Sequence, residues 1–240
     1  MDVYCISLPH RIDRRNQITA MVERYPFLRL HFVDAISAHD GNLGCLRSHK
    51  KTVQLAKDAG LPYVLVIEDD CEFILDPEIL KQQCETIVEY MSQHPEIRFV
   101  NGGGNLFHPW IQVHDSVKNT VFLRCPDVRT AHFMFYNASS YDLVTQFSDF
   151  GAGPIDVQVN NYMMVFTYPY LGVQRPSFSD IDRQFADHDS IRTSMNVVRN
   201  HLMGLGLISE QCDGDVVHES VHESVRDGTS SSDGRHVSEA

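Results

Sequence analysis

The sequence predicts an α/β domain built on a mostly parallel central sheet. Three observations carry that expectation. Short apolar runs of strand length alternate with longer stretches of helix length. Some of the runs are continuous in Val, Ile and Leu, as expected of strands covered on both faces. Three unusual polar clusters (Pro9 to Arg15, Glu68 to Asp70, Asn101 to Asn105) each follow the end of such a run. That edge, at the carboxyl ends of the strands, is where α/β sheets bind ligands.

The elements follow in order. Val3-Tyr4-Cys5-Ile6-Ser7-Leu8 is β-rich and stops at Pro9, so it reads as a buried strand. A charged stretch from Arg11 leads into a helix through Met21 and Val22. Leu28 to Ile36 alternates Leu28, Leu30 and Phe32 with Arg29 and His31, a second strand. Ser48 is placed as the cap of a helix running to Ala59, ended by Gly60-Leu61-Pro62. Tyr63 to Ile67 is a continuous apolar strand that stops at Glu68-Asp69-Asp70. Asp76-Pro77 opens a helix to about His94, with Pro at its first turn. Ile97 to Val100 is a further strand, closed by Asn101-Gly102-Gly103-Gly104-Asn105.

Length and charge bound the function. The chain's 240 residues, 42% hydrophobic and 22% charged, suit one elaborated domain and exclude wholesale disorder. A net charge of −12 makes the chain a poor candidate for sequence-independent binding to nucleic acid or anionic lipid, which needs a basic face. From Glu210 to Ala240 there are eight acids and two bases, so this Ser-rich end, with its His218-Glu-Ser-Val and His222-Glu-Ser-Val repeat, is expected to be a disordered acidic tail. The expected division is therefore a domain over 1–210 and a tail over 211–240. No apolar run approaches the roughly 20 residues of a membrane span, and Asp2 with the Arg-rich start argues against a signal peptide. The six cysteines form no CxxC pair, which suits reduced thiols and a cytoplasmic location.

Glu68-Asp69-Asp70 is the strongest local signal. Three adjacent acids at the end of a buried strand repel one another, and a hard divalent cation is the simplest remedy. Strand alternation would point Glu68 and Asp70 together and Asp69 elsewhere. Taken alone, the cluster reads equally as a solvated acidic turn.

It does not stand alone. Ile6-Ser7-Leu8-Pro9-His10-Arg11-Ile12-Asp13-Arg14-Arg15, Phe32-Val33-Asp34-Ala35-Ile36, Gly44-Cys45-Leu46-Arg47-Ser48-His49 and Val66-Ile67-Glu68-Asp69-Asp70 occur in the order found in glycosyltransferase family 25, which the chain resembles over about Val3 to Ile181. Thr130-Ala131-His132, Gly153-Pro154-Ile155-Asp156 and Gln174 to Ile181 extend the likeness. The sequence departs from the family at Ser7, where Asn is usual, and at Pro9-His10.

The resemblance implies a GT-A-type, Rossmann-like domain and a nucleotide-sugar donor, a UDP-hexose. It further implies Mn²⁺ (or Mg²⁺) and transfer to a glycan acceptor with inversion, as in lipopolysaccharide or other glycan biosynthesis. Glu68 and Asp70 are then the metal ligands, with Asp69, Ser7 and Leu8 on the donor side. Arg14 and Arg15 bond the diphosphate or form a solvated helix face. Ser48 and His49, read at a helix start, suit phosphate or sugar hydroxyls, although a plain cap is equally compatible with Ser48. Gly103 and Gly104 let backbone approach the donor sugar or form a flexible turn. Asp156 is the preferred general base, against an ordinary N-cap aspartate, and Asp180 is its rival or a donor contact. His188 is the candidate third metal ligand, against a surface histidine. Two other classes stay open: a nucleotidyltransferase, although Pro9-His10-Arg11 lacks its Gly-rich loop, and a non-catalytic carbohydrate-binding protein. Donor sugar, acceptor and oligomeric state are not legible.

Overall fold

The computed structural model describes residues 1–151, 153–162, 164–179, 184–186 and 189–209. Asp180, His188 and the acidic segment 211–240 lie outside the described residues. The order begins β1 (Asp2–Ser7), α1 (Ile12–Val22), β2 (Arg29–Asp34), α2 (Gly41–Asp58), β3 (Tyr63–Glu68), β4 (Cys71–Phe73), α3 (Pro77–Gln93) and β5 (Phe99–Asn101). It continues with β6 (Asn105–Leu106), β7 (Gln112–Val117), β8 (Thr120–Arg124), β9 (Val128–Arg129), β10 (Phe133–Asn137), α4 (Tyr141–Thr145) and α5 (Ile155–Asn160). The described chain ends in β11 (Met164–Tyr168), β12 (Gly172–Gln174), β13 (Ser177–Ser179), β14 (Gln184–Ala186) and α6 (Asp189–Gly204).

Eight strands form one sheet in the order β2-β1-β3-β10-β5-β11-β8-β7. β2, β1 and β3 are parallel neighbours, as are β5 and β11, while β10 and β8 run against their neighbours. Six of the eight strands therefore share one direction. This is the expected α/β, Rossmann-like architecture with a mostly parallel sheet.

Burial on both faces explains the apolar runs. Along β3, Val64 and Val66 face one core and Leu65 and Ile67 the other. β10 alternates in the same way, with Phe133 and Phe135 on one side and Met134 and Tyr136 on the other. Each such side chain contributes about 1.5–3 kcal/mol on burial.

One predicted boundary shifts. Ser48 does not cap α2. The helix begins seven residues earlier at Gly41, where the Asp40 carboxylate accepts the Asn42 N–H at 2.9 Å. Ser48 lies mid-helix, donates to the Gly44 carbonyl at 2.7 Å and accepts the Ile36 N–H at 2.8 Å. A short polar side chain serves either purpose, and the sequence did not separate them.

The reversed strand β10 positions the site. It lies between β3 and β5, with Phe133 opposite Ile67. Its first end therefore meets the last end of β3, and the Glu68 N–H donates to the His132 carbonyl at 3.1 Å. Thr130 and Ala131 are thereby carried to the acidic turn.

Candidate active site

A cavity of about 350 Å³ opens at the carboxyl edge of β1 and β3. Ser7 and Leu8 from the end of β1, residues 35–38 after β2, and the first two turns of α2 form one side. Glu68, Asp69 and Asp70 are also among its walls, as are Thr130, Ala131, Pro154 to Asp156 and Gln174. Four carboxylates and one cation, Arg14, line it. Segments more than 100 residues apart in sequence thus share one cleft.

The three acids have three different environments. Asp69 is braced: one oxygen accepts Arg14 Nη1 at 2.7 Å and the other accepts the Ser7 hydroxyl at 2.7 Å. Arg14 also reaches Asp70 at 3.5 Å and donates to Ser177 Oγ at 2.8 Å. Glu68 Oε1 lies 3.2 Å from His49 Nε2 and accepts the Cys45 thiol at 3.4 Å. Burial is the largest influence and works to raise the Glu68 pKa, but the His49 hydrogen bond and charge, with His132 and the Cys45 thiol, together hold the carboxyl below its usual value. Asp70 has the opposite fate. Burial first, and the Glu68 charge second, push its carboxyl up to about 7. Its Oδ1 is buried with no hydrogen-bond partner.

A divalent cation fits this floor. An orphaned buried carboxylate oxygen beside two further acids is an uncompensated acceptor set, and oxygen donors are what Mn²⁺ and Mg²⁺ select. Glu68 and Asp70 are the residues that would hold it. Asp69 is committed to Arg14 and Ser7.

The other wall carries Asp156. Its Oδ2 accepts the Thr130 N–H at 2.9 Å and its Oδ1 accepts the Val157 N–H at 2.9 Å. Thr130 has φ +74°, a strained conformation for a β-branched residue, and its buried Oγ1 lacks a partner. Asp156 sits in the first turn of α5, whose N-cap position is Pro154. It is not an N-cap; it clamps a strained loop while facing the cavity.

Several expected donor contacts lie elsewhere. Arg15 is turned away, donating to the Ser7 carbonyl at 3.0 Å, pairing with Asp34 and lying over the Phe32 ring at 5.0 Å. His49 is fully buried behind Glu68, with Nδ1 2.8 Å from the Tyr136 hydroxyl, so it orients Glu68 and does not line the cavity. Ser48 reaches the wall, though its hydroxyl is spent on Gly44 and Ile36. Gly103 and Gly104 are also outside the cavity. A Cβ on Gly103 would fall 2.0 Å from the Gly172 carbonyl oxygen, and one on Gly104 2.1 Å from Val128 Cγ1. These glycines let β12 and β9 pack closely; they are not placed to approach a sugar.

Sequence reasoning missed Cys45, Tyr136 and Gln174. Cys45 and His49 stand four residues apart, one helical turn, a spacing that puts both on one face of α2. Tyr136 and Gln174 carry no such signal, since pairing of distant strands brings them in.

The fold and cleft define an α/β chain with an acidic sheet-edge site. No family model and no curated protein sequence matches this chain. Among solved structures it overlays on a glycosyltransferase involved in glycosylation of the major capsid of PBCV-1, at 13% identity, TM-score 0.37, over 60% of this chain and 62% of that one. The chain thus spans less than two thirds of that protein's length. A Drosophila β1,4-galactosyltransferase 7 mutant, in complex with manganese, UDP-Gal and xylobiose, gives 11% identity and TM-score 0.38 over 78% of this chain and 69% of that one. Apo UDP-glucose pyrophosphorylase gives 9% and 0.37, over 85% and 81%.

Proposed function

We propose that this chain is an inverting, metal-dependent glycosyltransferase that moves a hexose, galactose in the first instance, from a UDP-sugar to a glycan acceptor. One observation carries the reading: the cavity holds four carboxylates against a single, already paired arginine, and one of those carboxylates has an orphaned buried oxygen. A diphosphate can approach such a wall only with a divalent cation between. At 4 Å and an effective dielectric near 20, each unit of opposite charge is worth about 4 kcal/mol. The family resemblance of the Gly44-to-His49 and Glu68-to-Asp70 motifs selects glycosyl transfer over other uses of a bound nucleotide.

The mechanism follows from the residues. Glu68 and Asp70 would hold the divalent cation, which when bound would supply Lewis-acid stabilisation of charge on the departing UDP. His49 and Cys45 hold Glu68 in place, and the Arg14–Asp69–Ser7 brace fixes the turn that presents Asp70. Ser7 and Leu8 border the donor at the end of β1. Asp156, on the opposite wall, accepts the proton of the attacking acceptor hydroxyl. Each of its oxygens takes one backbone N–H, which orients the carboxylate and leaves a further lone pair. Asp180 remains the rival base, and His188 a candidate third ligand.

Calorimetry of the full chain with UDP and a panel of UDP-hexoses, with and without Mn²⁺, tests the reading. UDP binding that requires Mn²⁺, and hexose release or transfer on incubation, is expected. Metal-independent sugar binding without turnover would overturn it in favour of a carbohydrate-binding module.

A further inference from the structure

The cleft contains a second group of cation donors, which shares only Glu68 with the metal position proposed above. Cys45 Sγ, a His49 ring nitrogen and a Glu68 oxygen all lie within 4.8 Å of one another, and Nε2 is the nitrogen 3.2 Å from Glu68. Cys45 and His49 come from successive turns of α2, and Glu68 from the end of β3. Cys45 and Glu68 line the cavity, and His49 closes the group from behind.

The geometry points to a binding site for a borderline divalent cation, Zn²⁺ or Co²⁺, held by Cys45, His49 and Glu68 with its remaining position open to the cavity. The spacing supports this. Tetrahedral zinc with bonds of about 2.3 Å to sulfur and about 2.1 Å to nitrogen and oxygen sets S···O near 3.6 Å and N···O near 3.4 Å. The observed separations are 3.4 Å and 3.2 Å. Three protein ligands and one open position is also the usual plan of a zinc site that exchanges its fourth ligand.

The surroundings match as well. Metal-bound imidazoles hydrogen-bond through their other nitrogen to a fixed partner, which sets the tautomer. Here His49 Nδ1 meets the buried Tyr136 hydroxyl at 2.8 Å. In the tautomer that donates its Nδ1 proton to Tyr136, the Nε2 lone pair would be free for a metal, which would replace the Nε2 hydrogen bond to Glu68. Cys45 would give up its proton to solvent on binding, so uptake releases acid. Without a metal, burial and the Glu68 charge keep that thiol protonated.

The site differs in chemistry from the oxygen-donor position at Asp70. Thiolate and imidazole select zinc, whereas Mn²⁺ prefers carboxylate and water. The two positions share Glu68, so zinc would withdraw it from the other cation. That consequence, inhibition of manganese-dependent UDP binding by zinc, rests on the proposed function; the binding site itself does not.

The test is Co²⁺ titration of the chelator-stripped full chain, followed by absorption spectroscopy. One equivalent should give a near-ultraviolet thiolate-to-cobalt band with intense visible bands of a four-coordinate ion, displaced by Zn²⁺. Cys45→Ser should abolish the thiolate band, and Tyr136→Phe should weaken cobalt binding by about tenfold. Asp70→Asn should retain the band while losing manganese-dependent UDP binding, which separates this site from the proposed function. In the unmutated protein, Zn²⁺ should slow alkylation of Cys45 and not of Cys125, a readout that needs no variant. Absence of the thiolate band in the wild type, its survival in Cys45→Ser, or alkylation of Cys45 unaffected by Zn²⁺ would overturn the proposal.

Discussion

Arg14 Nη1 lies 2.7 Å from Asp69 Oδ1, and both side chains are about nine-tenths buried. The pair joins α1 to the turn after β3 and fixes the acidic floor of the cleft. Removing only the cation leaves a buried carboxylate uncompensated, which typically costs 3–5 kcal/mol. Arg14→Met should therefore destabilise the chain by about that amount in urea unfolding. A double variant, Arg14→Met with Asp69→Asn, should recover part of the loss. A change below about 1 kcal/mol in the single variant would show that the pair does not brace the floor.

Asp70 is the residue whose replacement separates fold from function. Asp70→Asn removes a charge that the metal-free protein tolerates poorly, so its melting temperature near neutral pH should match or exceed the wild type. Manganese-dependent binding of UDP should be lost. Differential scanning calorimetry and isothermal titration read the two effects independently.

The same group sets a pH dependence. Asp70 has a folded pKa of about 7 against an ordinary 3.8, so the folded chain holds an extra proton between those values. Stability contributed by Asp70 is therefore full below about pH 4 and is lost as the pH rises through 7, on the order of a few kcal/mol. Chelated protein should show this falling component, and Asp70→Asn should remove it. Added Mn²⁺ should offset the loss at neutral pH by mass action.

Asp156→Asn should keep the fold, because an amide oxygen can still accept the Thr130 N–H. Turnover should fall by about 10²–10⁴, the usual contribution of a general base, with UDP affinity unchanged. Near-full turnover in Asp156→Asn with loss in Asp180→Asn would reassign the base.

Gly103→Ala probes close packing. A methyl group 2.0 Å from the backbone oxygen of Gly172 cannot be relieved by a rotamer change. A loss of about 3 kcal/mol or more is expected, without selective loss of UDP affinity in the folded fraction. A stable Gly103→Ala with impaired UDP binding would return the glycines to the donor site.

The first half of the fold was legible because its signals are local. Tyr63 to Ile67 is buried on both faces, so its sequence is uniformly apolar. Pro77 and Gly60 mark helix ends through backbone restrictions that act within a residue or two. The second half was not legible. β10 carries the same apolar signature as a parallel strand, and nothing within Phe133 to Asn137 states that it runs backwards between β3 and β5. Ser48 misled for a related reason, since one hydroxyl serves a helix cap and a mid-helix bond alike.

By itself the sequence determined the acidic turn and its place at a strand end, since charge and hydrophobicity are properties of neighbouring residues. The tertiary structure alone decided how that turn is divided. Asp69 goes to Arg14 and Ser7, Glu68 to His49 and Cys45, and Asp70 keeps a 3.5 Å contact to Arg14 with its other oxygen orphaned. That division depends on side chains brought together across 55 and 62 residues of chain, and burial sets its energy. Only a packed fold fixes burial.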